Sequence, residues 1–168
     1  MKLLTAAALA TFLLAPTAQA QMALQQVTTS LKNAEGKDIG VVRLTAAPKG
    51  VILRVEANGL TPGWHGVHFH EKADCSKSDF TTAGGHVHGG GERIHGLLNA
   101  KANETGDLPN VFADSHGMVM AEVYSGLTTL PALMDADGSA VVVHANPDDQ
   151  LSQPIGGAGP RVACAAVR

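Results

Sequence analysis

The heptapeptide Val51-Ile52-Leu53-Arg54-Val55-Glu56-Ala57 puts Val51, Leu53, Val55 and Ala57 on one side of an extended chain, with Arg54 and Glu56 on the other. Successive side chains of a strand point to opposite faces, so this period of two predicts a half-buried β-strand. The same alternation recurs at Met118–Tyr124, where Val119, Ala121 and Val123 oppose Glu122. Further strands are expected at Leu24–Leu31, Gly40–Leu44, Trp64–His70, Ala140–His144 and Arg161–Val167. Turn residues separate them: Glu35-Gly36, Pro48-Lys49-Gly50, Asn58-Gly59, His116-Gly117 and Asp137-Gly138. No segment carries a sustained helical period, and neither an internal repeat nor a second domain is visible. The pattern predicts an all-β fold, an antiparallel sandwich or flattened barrel. Residues 71–110 are rich in Gly, His and Asp and have no period. A loop that long in a compact domain usually carries function.

Composition narrows the function. The 168 residues suit one domain. With 45% hydrophobic and 16% charged residues, a disordered tail or a heptad coil is excluded as the main architecture. A net charge of −3 offers no broad basic face for nucleic acid. Aromatic residues, at 4%, are too scarce for a platform that stacks bases or sugars.

The N-terminus reads as an export signal. Lys2 precedes an apolar run, Leu3–Leu14, too short to span a bilayer, and Ala18-Gln19-Ala20 is a small-x-small cleavage site. The expectation is a signal peptide at 1–20, a domain at 21–168, periplasmic export, and no membrane span once the signal is removed. Two cysteines in an oxidising compartment usually pair, so Cys75 and Cys164 are expected to form one disulfide. Closing a loop that long would contribute ~4–5 kcal/mol in chain-entropy terms.

The positions of the eight histidines matter more than their number. In Gly66-Val67-His68-Phe69-His70-Glu71, two histidines at i and i+2 share a strand face, ~6.5–7 Å apart along it. That spacing lets both rings reach one metal ion, although His-x-His also occurs in other small β metalloproteins, cupins among them. A second cluster, Gly84-Gly85-His86-Val87-His88-Gly89 followed by Ile94-His95-Gly96, lies in the long loop. The third element is His144, which ends the apolar run Val141-Val142-Val143. Imidazole-rich sites of this kind suit copper and zinc.

These blocks together resemble the copper/zinc superoxide dismutase family, most closely its exported bacterial branch. The resemblance rests on Gly66–Cys75, Gly84-Gly85-His86, Gly106-Asp107-Leu108-Pro109-Asn110, Val142-Val143-His144-Ala145 and Gly156–Cys164, in that order. It implies an immunoglobulin-like Greek-key β-sandwich and disproportionation of superoxide at copper. Copper would be held by His68, His70, His86 and His144, with His86 bridging to zinc and taking part in proton transfer. His95 and Asp107 match two further zinc positions, and the interval from His86 to His95 is one residue longer than usual. Where the family has a third zinc histidine, this chain has Glu104. Three arrangements stay open: Glu104 completes the site, His88 swings in, or zinc is held by three ligands and weakly. Asp148 falls where the family has an aspartate joining ligand histidines of the two metals; the bland alternative is a solvated turn carboxylate beside Asp149. Arg161 matches the family's anion guide, where the alternative is an ordinary surface arginine. Lys72 would add to the local positive field. His65 and His116 are expected to be polar surface residues. The competing function is a non-enzymatic exported copper- or zinc-binding protein. The sequence leaves the subunit count open, a homodimer included.

Overall fold

A computed structural model describes residues 25–168, so the signal peptide expected at 1–20 lies outside the described residues. Nine strands are present among them: β1 (Gln26–Asn33), β2 (Asp38–Ala47), β3 (Gly50–Ala57), β4 (Gly63–His65), β5 (Val67–His70), β6 (Val111–Ala113), β7 (Val119–Ser125), β8 (Ser139–His144) and β9 (Arg161–Val167). Among the described residues, helical structure is confined to a 3₁₀ turn at Thr81–Ala83 and the four-residue α1 (Leu130–Leu133). Thr129 caps α1 and Pro131 opens it, where a missing N–H costs nothing.

Seven strands make one antiparallel sheet in the order β5-β8-β9-β1-β2-β3-β7, while β4 and β6 pair separately. The non-sequential neighbours β5-β8, β9-β1 and β3-β7 are the crossovers of a Greek key. β4 runs into β5 at one edge of the large sheet. At the other edge, β6 turns into β7 through Asp114–Met118, closed by Asp114 N–H to the Met118 carbonyl at 2.9 Å. The β4–β6 pair therefore links the two edges, and the sheet curls into a flattened barrel.

The alternation at 51–57 has its predicted outcome. Val51, Leu53, Val55 and Ala57 are buried in the main core with Leu31, Leu44, Phe69 and Val141. Arg54 and Glu56 stay on the outer face and pair at 2.6 Å. β8 is different, because all six of its residues are buried. Val141 and Val143 face the barrel interior. Ala140 and Val142 face outward into a second small cluster with Phe80, Ala83 and Cys164. The Cys75–Cys164 disulfide, 89 residues apart in sequence, ties the overlying loop to β9 at that cluster. The outside of the barrel at β5, β8 and β9 is thus roofed by loops, and the site lies beneath that roof.

The strand expected over Trp64–His70 is broken at Gly66, whose N–H donates to the Asn146 carbonyl at 2.8 Å instead of joining a ladder. β6 was not expected, since three residues are too few to display a period. Among the described residues, no helix is long and apolar enough to cross a membrane.

Candidate metal centre

β5 is the edge strand of the large sheet, and an edge strand presents unpaired backbone groups that other chain segments can join. Here the 71–110 loop joins it: Glu71 N–H donates to the Gly85 carbonyl, Val87 N–H to Phe69, and Phe69 N–H to Gly106, at 2.9–3.0 Å. Gly106 N–H closes the set on the Val87 carbonyl at 2.8 Å. A Cβ on Gly106 would overlap the Phe69 carbonyl, so only glycine lets the loop come this close. This registration sets His86 opposite His70 and Asp107 opposite His68.

On β5 itself, Val67 and Phe69 enter the main core. His68 and His70 take the opposite face, under the loops, and both are fully buried. His144 arrives from the end of β8. The rings of His68, His70, His86 and His144 lie with centroids 3.9–6.3 Å apart.

In each ring one nitrogen is fixed by the protein. His68 Nε2 donates to Asp148 Oδ2 at 2.7 Å. His70 Nδ1 donates to the Gly84 carbonyl at 3.0 Å, and His144 Nδ1 to the Gly159 carbonyl at 2.9 Å. His86 Nδ1 meets Glu104 Oε2 at 2.7 Å and Asp107 Oδ1 at 3.2 Å. The remaining nitrogens, His68 Nδ1, His70 Nε2, His86 Nε2 and His144 Nε2, are buried with no hydrogen-bond partner. Leaving a buried polar atom unpaired ordinarily costs about 1–3 kcal/mol, and four in one place need a common cause. These four residues offer ligand atoms within 4.8 Å of one another. Two imidazole–metal bonds on opposite sides of an ion span about 4.2 Å. The quartet therefore fits one ion with a small contraction. Its chemistry suits copper, for which neutral imidazole is a preferred ligand.

Electrostatics agree. Burial pushes His68 down to about 4 despite its bond to Asp148. Burial likewise pushes His144 down to about 3, with His68 adding to the effect. It holds His70 well below the ordinary imidazole value, helped by His86 and Arg161. All three rings are neutral at pH 7, as metal ligands must be.

Beside the quartet lies a second group of opposite character. His95 Nδ1 meets Glu104 Oε2 at 3.0 Å and Asp107 Oδ1 at 2.9 Å. The same two carboxylates hold His86 Nδ1. Burial disfavours charge on these rings, but the carboxylates outweigh it, raising His86 and lifting His95 to about 11. Against the same burial, bonds from His86 and His95 hold Asp107 well below the carboxylate range. The geometry also groups His68 with His86, His95 and Asp107 within 4.8 Å. His68 has no nitrogen to spare for that group, because Nε2 is engaged by Asp148 and Nδ1 faces the quartet. Glu104 is the remaining donor, and two imidazoles with two carboxylates fit zinc.

His88 stands apart. Its Nδ1 accepts from Gly90 N–H at 3.0 Å and its Nε2 lies 3.4 Å from Glu71 Oε1, away from His95. Asp148 is buried, and its two oxygens reach His68 Nε2 at 2.7 Å and His95 Nε2 at 3.1 Å, joining the two groups. Asn110 fixes it by bonding both its backbone N–H and its carbonyl, at 2.9 and 2.8 Å. The half-buried Arg161 donates from Nη1 to Phe80 and from Nη2 to Gly84, both 2.6 Å. Lys72 is exposed, as is His116.

His65 overturns its expectation as a surface residue. It is buried, with Nδ1 at 2.7 Å from the His144 carbonyl and Nε2 at 2.8 Å from that of Thr61. The reason is strand parity: Trp64 points out to pack on Phe112, so His65 points in. Counting by twos back from Phe69 would have revealed it.

The family model for copper/zinc superoxide dismutase matches residues 39–167. The chain belongs to the copper/zinc superoxide dismutase family. It is 56% identical to a copper/zinc superoxide dismutase of Caulobacter vibrioides over 147 residues, covering 84% of each chain. Its fold is similar to that of a superoxide dismutase-like protein of Bacillus subtilis, with TM-score 0.80 and 33% identity over 87% of this chain and all of that one. It is also similar to the copper/zinc superoxide dismutase of Brucella abortus, with TM-score 0.73 and 28% identity over 86% of this chain and all of that one. Copper and zinc are the cofactors of the family, and the two donor groups match that pair of metals.

Proposed function

We propose that this chain disproportionates superoxide to dioxygen and hydrogen peroxide, with copper held by His68 Nδ1, His70 Nε2, His86 Nε2 and His144 Nε2. The observation that carries this reading is the set of four buried, partnerless nitrogens, each on a ring whose other nitrogen is fixed. Zinc would be held by His86 Nδ1, His95 Nδ1, Asp107 and Glu104. The contacts of Glu104 with both rings favour it over His88, which is bonded elsewhere. Copper, when bound, supplies a couple between Cu(II) and Cu(I) against which superoxide is oxidised in one half-reaction and reduced in the other.

The protein's own part is positioning and proton supply. Two superoxide ions and two protons give one dioxygen and one hydrogen peroxide. His86 Nε2 faces the quartet and can hold one of those protons, while Nδ1 is kept by the carboxylates. The guanidinium of Arg161, pinned by two carbonyls, brings fixed positive charge and spare N–H groups to a small anion. Asp148 holds the tautomers of His68 and His95 and so couples the two metal positions. A protein that only stores copper has no use for Arg161 in this place, so catalysis is the better reading. The signal-like sequence pattern of residues 1–20 and the disulfide favour export to the periplasm.

Metal analysis and superoxide consumption, measured together, test the proposal. Copper-loaded protein is expected to bind copper stoichiometrically and consume superoxide, and His144→Ala to lose both while remaining folded. Stoichiometric copper without superoxide consumption would make the chain a metal-binding protein instead.

A further inference from the structure

The peptide bond between Gly84 and Gly85 is gripped on both sides. Its carbonyl oxygen accepts from His70 Nδ1 at 3.0 Å and from Arg161 Nη2 at 2.6 Å. Its N–H donates to Glu71 Oε2 at 3.0 Å. The other carboxylate oxygen, Glu71 Oε1, is paired with the Arg93 guanidinium. Glu71 follows His70 directly in the chain, and its own N–H donates to the Gly85 carbonyl at 3.0 Å. Gly84 has φ of +79°, and a Cβ there would sit 2.8 Å from Glu71 Oε2, so the loop is shaped to receive this carboxylate.

From this arrangement we infer that Glu71 is a positioning residue for the anion-binding side of the copper site, acting through the Gly84–Gly85 peptide on Arg161 and His70. A carboxylate on the N–H side of a peptide fixes the plane of that peptide and polarises its carbonyl, strengthening what the oxygen accepts. Here the oxygen accepts from one copper-ligand candidate, His70, and from Arg161, the arginine proposed to receive the anion. Glu71 touches neither anion nor metal, and Arg93 holds it in place from the solvent side. The inference rests on the proposed copper site, but its core, the Glu71–peptide–Arg161 chain of hydrogen bonds, is present without any metal.

Azide, a small anion that binds copper, is the probe. In copper-loaded protein, Glu71→Ala is expected to weaken azide binding roughly 3–10-fold with copper content unchanged. Glu71→Gln, which keeps an oxygen acceptor for Gly85 N–H, should recover most of the loss. In the Arg161→Ala background, Glu71→Ala should cause little further loss, since contacts in one network are not additive. Equal azide affinity in wild type and Glu71→Ala, or full additivity with Arg161→Ala, would overturn the inference. Should Glu71→Ala fail to fold, Arg93→Ala provides the same comparison. Metal-free protein separates this idea from the copper assignment. Its Gly85 amide proton should resonate far downfield by NMR and shift upfield in Glu71→Gln, where the acceptor is no longer charged. An unshifted Gly85 resonance would overturn the inference even if copper binds as proposed, whereas a protein that takes up no copper would sink the copper assignment alone.

Discussion

At the scale of single residues, the departures from the family pattern are the most informative. Glu104 stands where an imidazole is expected, yet its carboxylate lies within hydrogen-bond distance of both His86 and His95. Glu104→Ala is expected to leave zinc substoichiometric while copper stays stoichiometric, as read by metal analysis of dialysed protein. Unchanged zinc would return the ligand role to another residue. Asp148→Asn removes an acceptor charge shared by His68 and His95. Loss of such an outer partner typically weakens metal affinity about 10–100-fold, which competition against a chelator would measure for both metals. Arg161→Ala should slow superoxide consumption roughly tenfold or more at low ionic strength, the scale of local electrostatic capture. Its copper content should hold; loss of copper would mean that Arg161 is structural.

Elements decide how these residues meet, and here the sequence was legible in part. The alternation at 51–57 named its own buried face, because one strand has two faces and only one was apolar. β8 reads as an unbroken apolar run for a reason visible only in three dimensions: loops roof its outer face with Phe80 and Ala83. The His68-x-His70 pair was readable from spacing. That His86 and Asp107 join it depends on backbone pairing of the long loop with the edge of β5, which no side-chain pattern encodes. The family blocks pointed to those two residues where periodicity could not. His65 escaped because a polar residue preceding the histidine pair reads as surface, although the parity of Phe69 and Val67 already places it on the buried face. The loop's attachment also has a covalent part. Replacing Cys75 and Cys164 by serine should cost ~4–5 kcal/mol in chain-entropy terms. That lowers the melting temperature by about 10–20 °C, measurable by calorimetry of the metal-loaded protein.

For the whole molecule, the two donor groups carry opposite proton preferences, and this shapes stability against pH when metal is absent. His68 and His144 are held neutral, with native values of about 4 and about 3 against 6.5 unfolded. Between those limits the unfolded chain binds more protons, so their contribution is complete above pH 6.5 and is lost as pH falls. His95, raised to about 11, behaves in reverse: its contribution is complete below pH 6.5 and is lost as pH rises towards 11. Metal-free protein should therefore melt highest near neutrality and lower on both sides, as a calorimetric pH series would record. A melting temperature that climbs steadily from pH 5 to 10 would contradict this. Zinc loading at pH 7 should release about one proton or more per ion, while copper loading of the neutral imidazoles of His68, His70 and His144 releases few from them. The most direct test of the centre is electron paramagnetic resonance of protein given an equimolar amount of Cu(II). The expected spectrum is a single species with superhyperfine splitting from several imidazole nitrogens, altered by His70→Ala. A spectrum of oxygen-bound copper with no nitrogen coupling, the same in wild type and variant, would contradict it.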